Sequence, residues 1–180
     1  MPIGWGLEVE MKWTKPEMSG EVPSRRSAHT LTYVKGQGEE GEGMPSKAIL
    51  FGGCGYGIPA GPNDEVFSLA LDTKEWTRIQ AGGDHPEARS DHTADLISAN
   101  EILVFGGFAL KHRLNDAWIL NTDNYKWSRA PIEDNADNKA PSPRGGHGSC
   151  IVGKKVSARM TATSHAVPNP SRSPSDARSC

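Results

Sequence analysis

Three arginine–histidine pairs recur in this 180-residue sequence: Arg26 with His29, Arg89 with His92, and Arg144 with His147. Imidazoles brought together can hold a transition metal or move protons, and guanidinium groups can bind carboxylates or phosphates. The spacing argues for another use. Arg89 and Arg144 stand 55 positions apart, and so do His92 and His147. A catalytic residue is needed once, whereas a residue copied into every unit is needed wherever the same piece of backbone is rebuilt. Each His is therefore expected to satisfy the turn that opens a unit. Each Arg is expected to tie adjacent units or to line one mouth of the assembly, where Arg26, Arg89 and Arg144 could meet a partner. Cys54 lacks an evident activating neighbour and reads as a small buried residue. The stretch "GGCGYG" (52–57) runs into Pro59 and Pro62, where a phosphate loop would open a helix. No Ser-His-Asp order, nucleotide loop or positioned carboxylate pair stands out. The expectation is a non-enzymatic chain with no catalytic residue, metal ligand or cofactor.

The elements that carry these residues also recur. "PSRRSAHTLTYV" (23–34) is answered by "EARSDHTADLIS" (87–98), and "ILFGG" (49–53) by "ILVFGG" (102–107). "NDEVFSLALDTKEW" (63–76) is answered by "NDAWILNTDNYKW" (115–127), and "PSPRGGHGSCIVG" (141–153) begins a third copy. Internal repetition of this length signals an array of like units. "AILF" and "EILVF" are unbroken apolar runs of strand length, as expected for strands buried on both faces. "VFSLAL" places Phe67, Leu69 and Leu71 on one face by its period of two. "EWTRI" and "KWSRA" supply a fourth strand, and no segment carries a helical stripe. Four short strands per unit at a period near 50 residues suit a propeller blade. Gly52-Gly53 and Gly106-Gly107 are expected to end the buried strand in a tight turn. Asn63-Asp64 and Asn115-Asp116 are expected to close turns through their side chains. Trp76 and Trp127 are expected to be wedges between blades.

These residues resemble the kelch repeat, whose motif runs from an Arg-x-x-His opening through GG, Asn-Asp and an aromatic to a Trp about nine residues on. The resemblance covers about residues 13–153. It implies an all-β fold of four-stranded antiparallel kelch propeller blades at 28–79 and 91–130, with a partial third at 141–153. It also casts "EMKWTKPE" (10–17), within an N-terminal segment 1–27, as an outermost strand with Trp13 in the place of Trp76 and Trp127. A kelch ring needs more blades, so the chain reads as a truncated propeller, with a splice variant or altered gene end as one origin. Residues 154–180, rich in Ser, Pro and Arg, read as a disordered tail in which "RSPS" (172–175) is a candidate phosphorylation site.

Net charge is −2, with charged residues at 23%, so nothing suggests a nucleic-acid partner. No apolar run reaches the ~20 residues of a membrane span, and no signal peptide is evident. Three cysteines make no disulfide framework. A cytoplasmic setting is expected. The resemblance implies an adaptor or scaffold that binds other proteins through rim loops, with Lys111 and His112 as loop candidates. The acidic run Glu39, Glu40 and Glu42 reads as a solvated loop. The alternatives are a kelch-propeller enzyme or metal-dependent modifier, of the galactose-oxidase or nitrile-specifier kind, and a truncated isoform with little function of its own. Open blade edges are expected to drive self-association.

Overall fold

The computed structural model describes residues 13–37, 45–56, 60–132, 140–152 and 155–159. Every regular element among them is a strand. The order is β1 (Ser19–Gly20), β2 (Arg26–Ser27), β3 (Thr30–Val34), β4 (Lys47–Phe51), β5 (Cys54–Gly55), β6 (Gly61–Pro62), β7 (Val66–Ala70) and β8 (Glu75–Ile79). There follow β9 (Gly82–Gly83), β10 (Thr93–Leu96), β11 (Glu101–Phe108), β12 (Arg113–Asn121), β13 (Lys126–Arg129), β14 (Gly148–Val152) and β15 (Lys155–Arg159). The antiparallel run β3-β4-β7-β8 is the first blade and β10-β11-β12-β13 the second. The acidic run at 39–42, the "RSPS" segment and residues 1–12 lie outside the described residues.

The apolar runs become the inner strands of each sheet. In β4, Ala48, Ile49, Leu50 and Phe51 are all buried, because both faces of this strand are covered. The alternation of the pleat sends Val34, Ile49, Phe51 and Val66 to one face of the first blade. That face meets Ile102, Val104, Leu120 and Trp127 of the second blade in a single apolar core. Trp127 is the wedge: it is buried, with its ring 4.9 Å from that of Phe51 across the seam. Trp76 departs from the expectation. It is half-buried on the other face of the first blade, edge-on to Phe67 of the same sheet. The difference is one of neighbours, since Trp127 has a described blade in front of it and Trp76 has none.

Two short strands complete the sheets in a way the repeat pattern did not announce. β1 adds to the outer edge of the first blade as a parallel fifth strand, Ser19 opposite Glu75 and Gly20 opposite Trp76. β9 does the same for the second blade, Gly82 opposite Lys126 and Gly83 opposite Trp127. β9 lies in the linker leaving the first blade, so this linker is stitched to the back of the next blade.

The ends differ from expectation. Trp13 is 93% exposed, and residues 13–17 form no strand. The expected outermost strand is thus absent from the described part of 10–17. At the other end, the third unit does not stop at 153. β14 pairs antiparallel with β15, from Gly148 opposite Arg159 to Val152 opposite Lys155. The first residues assigned to a disordered tail are therefore in a hairpin.

Candidate functional site

The recurrent histidines and arginines are parts of the seams between blades. His92 shares a hydrogen bond from its Nε2 to Thr30 Oγ1 of the first blade, at 2.9 Å. His147 repeats this with Thr93 of the second blade, at 3.2 Å. The His92 ring also lies edge-on to Phe51, and the His147 ring edge-on to Phe105. The Nδ1 atom of each is buried and has no hydrogen-bond partner among the described residues. Burial, with the charge of Arg89 adding to it, pushes the His92 pKa down to about 3. His147 is also lowered, by burial and by Arg144. A neutral imidazole is what such a buried seam can hold.

The paired glycines make room for these rings. A Cβ on Gly52 would stand 2.6 Å from the Arg89 carbonyl and 2.9 Å from His92 Cε1. A Cβ on Gly53 would stand 2.7 Å from His29 Cβ. The pair is therefore pinched between the His of its own blade and the His of the next, with φ of +64° and +91° besides. Gly106 and Gly107 sit in the same vice between His92 and His147. The seam is then closed by backbone bonds: the Gly53 amide donates to the Arg89 carbonyl at 2.9 Å, and the Gly107 amide to the Arg144 carbonyl at 2.8 Å.

The arginine side chains tie blades internally. Arg89 donates to the Gly106 carbonyl at 2.9 Å and forks onto Asp116 at 2.8 and 3.0 Å. Its side chain is fully buried. Burial tends to raise the Asp116 pKa, but hydrogen bonds from Arg89 and from Trp118 Nε1 prevail, and the carboxyl sits below its ordinary value. Arg26 likewise donates to the Gly52 carbonyl at 3.2 Å and pairs with Glu65 at 2.6 Å. The acid that matches Asp116 is thus Glu65, two residues before the aromatic in both units, whereas Asp64 is exposed. Asn63 does close its turn, through Nδ2 to the carbonyls of Gly53 and Gly61, and Asn115 reaches the Pro141 carbonyl. Arg144 is half-buried and held by Ser142. Arg26 and Arg89 are therefore not available to a partner, because their charges are consumed inside the fold. Cys54 is buried. Among the described residues, no three or more His, Cys, Asp or Glu side chains are grouped to hold a metal ion.

What remains open lies on the loops that follow the glycine pairs. Tyr56 and Leu110 each stand three residues past the second glycine, and they are 72% and 62% exposed. Leu110 divides two hollows. The larger, of about 630 Å³, is walled by Pro62, Ser90, Asp91 and residues 108–113, while the smaller continues past Pro62 toward Glu87 and Ala88. Its floor is pinned, since the Ser90 and Phe108 backbones exchange two hydrogen bonds and the Asp91 amide donates to the Ala28 carbonyl across the seam. Lys111 forms no ion pair among the described residues, and Arg113 only lies over the Phe108 ring at 5.3 Å. His112 sits 3.4 Å from the Glu87 carboxylate, an exposed pairing of small energetic weight. Lys111 and His112 are therefore where the sequence placed them, on a loop, and Leu110, Arg113 and Asp91 line the same hollow. Of these three only Leu110 carried a legible signal, its position three residues past the glycine pair, which Tyr56 shares in the first unit.

Four-stranded antiparallel blades, packed face to face through a repeated His-Thr and Gly-Gly seam, define a repeat protein of the β-propeller type. The chain belongs to the kelch-repeat proteins: residues 7–160 match the KLHDC2/KLHL20/DRC7 Kelch-repeats domain. It is 32% identical over 148 residues to the dynein alpha chain of the flagellar outer arm of Chlamydomonas reinhardtii, covering 80% of this chain and 3% of that protein. It is 29% identical over 161 residues to host cell factor 2 of Homo sapiens, covering 80% and 19%. To Kelch domain-containing protein 2 of Bos taurus it is 32% identical over 133 residues, covering 70% and 30%. The chain thus spans less than a third of the length of each of these relatives.

Proposed function

We propose that this chain is a non-enzymatic adaptor or scaffold module that grips a segment of another protein in the hollow beside Leu110. The observation that carries this reading is a pinned groove of about 630 Å³ with an exposed apolar wall and two cations, Lys111 and Arg113, that no described carboxylate neutralises. Apolar walls with a few placed polar groups are the usual anatomy of a recognition site. The fitting ligand is an extended segment that sets an apolar side chain on Leu110 and Pro62 and a carboxylate toward Lys111 and Arg113. A non-enzymatic role is supported by the use of the recurrent His92, His147, Arg26 and Arg89 side chains in holding the blades and their seams together. A random peptide display library panned on the whole chain tests the reading. Enrichment of peptides joining an acidic and an apolar residue is expected, with capture lost in Leu110→Glu while its melting temperature is kept. Failure to enrich any sequence, or equal capture by Leu110→Glu, contradicts it.

A further inference from the structure

The residue before each recurrent His stands at the same turn in all three units, yet its side chain is not copied. The units read Ser27-Ala28-His29, Ser90-Asp91-His92 and Gly145-Gly146-His147. The backbone is left-handed in each, with φ of 54° at Ala28, 55° at Asp91 and 66° at Gly146. The fold therefore asks this position for a conformation and not for a carboxylate. Asp91 nonetheless stands on a fixed platform. Its amide donates to the Ala28 carbonyl at 3.0 Å, and its carbonyl accepts from the Gly146 amide at 2.8 Å. The buried Ser90 hydroxyl donates to one carboxylate oxygen, Oδ2, at 2.8 Å. The other, Oδ1, has no hydrogen-bond partner among the described residues. Asp91 is half-buried and lines the same hollow as Leu110, Lys111 and Arg113, and it forms no ion pair with either cation.

We propose that, given that the hollow is the partner-binding groove assigned to it, Asp91 selects for a base: the bound segment brings a lysine or arginine to the Asp91 carboxylate, besides its acid and its apolar side chain. Desolvation decides this. A segment laid across Leu110 takes water from whatever shares the hollow, and a carboxylate stripped of water without a partner is costly. An apolar side chain over Asp91 gives nothing in exchange, and the acid meant for Lys111 and Arg113 is repelled by Asp91. A base answers both, and a hydrogen bond between charged groups outweighs the one a neutral amide or hydroxyl gives. Ser90 holds Oδ2, so Oδ1 is the atom open to the incoming N–H. The backbone of Asp91 is already fixed by two seams, so little freedom is lost when the pair forms. Ala28 and Gly146 offer no such charge, so among the three units this selection belongs to the second alone.

The random peptide display library is panned side by side on the whole parent chain, on Asp91→Asn and on Asp91→Gly. Asparagine keeps the shape and tolerates a left-handed backbone, and glycine is what the third unit carries at this turn. Peptides taken from the parent are expected to carry a Lys or Arg together with the acid and the apolar residue. Those taken from the two variants are expected to keep the acid and the apolar residue and to lose the base. One peptide selected on the parent is then titrated by calorimetry, with its base present or replaced by Gln, against the parent and Asp91→Asn. Removing either charge alone is expected to weaken binding about fivefold, as for a partly shielded ion pair, and removing both by no more than that. An acidic–apolar consensus without a base on the parent, a neutral donor in its place, or a base kept equally by both variants overturns the proposal and leaves the groove standing. So do losses that multiply when both charges are removed. Failure to enrich any sequence, or equal capture by Leu110→Glu, removes the groove itself and the proposal with it.

Discussion

At the scale of single residues, a neutral imidazole is the condition on which each seam rests. Unfolded, His92 takes up a proton near pH 6.5, and folded it refuses one until about pH 3. Unfolding therefore binds a proton throughout that window, and stability is full above it and falls as pH drops. Denaturant titrations between pH 7 and 4 are expected to show this slope, reduced by up to one proton in His92→Gln; an unchanged slope would mean that His92 is not shielded. Ala28 offers a second check, because its left-handed φ costs an L-residue ~1–2 kcal/mol, against ~0.5–1 kcal/mol for the extra freedom of glycine in the unfolded chain. Ala28→Gly is expected to raise stability by ~0.5–1 kcal/mol in urea melts, and a loss would show that the turn is held otherwise. The histidines and glycine pairs were legible because their spacing repeats. Asn63-Asp64 was matched to Asn115-Asp116 as turn-closing pairs, yet the counterpart of Asp116 is Glu65, because "NDE" in the first unit answers "ND" in the second and only the distance to Phe67 and Trp118 picks Glu65. Of the arginines expected to tie units or line one mouth, Arg26 and Arg89 are spent on acids within their own blades, while Arg144 is half-buried and held by Ser142.

At the scale of elements, strands written as apolar runs were legible and strands written as two residues were not. β4 and β11 declare themselves by unbroken apolar runs, whereas β1 and β9 are too short for any period to show. The clue lay in their position: Ser19-Gly20 follows Trp13 by the same interval as Gly82-Gly83 follows Trp76. Trp13 matched Trp76 in spacing but not in structure, because a strand needs a sheet edge to join. The parallel stitch of β9 depends on Gly83, whose φ is +82° and whose added Cβ would strike the Trp127 carbonyl. Gly83→Ala is expected to cost ~1–2 kcal/mol through its left-handed backbone alone. It should also speed hydrogen exchange of the Gly82 amide, which donates to the Tyr125 carbonyl at 2.9 Å. Unchanged exchange at Gly82 would show that the stitch survives without glycine.

At the scale of the whole molecule, the core belongs to neither blade alone, so the two described blades should melt together. Trp127→Ala removes the wedge against Phe51 and is expected to cost ~3–5 kcal/mol, with both blades lost in one transition. Trp76→Ala, half-buried, should cost clearly less, and equal losses would show that the seam is not where the stability lies. The rim was only partly legible: Lys111 and His112 were visible as loop residues, but a groove is a property of two loops from different blades, and sequence order does not say which loops meet. The central claim is that this groove, set on a floor pinned across the seam, is where the protein holds its partner. Amide NMR of the whole chain, titrated with an acidic–apolar peptide selected on it, tests that most directly. Shifts concentrated at Asp91 and residues 109–113 are predicted. Shifts confined to the outer strands β8 and β13, or none at saturating peptide, would contradict the account.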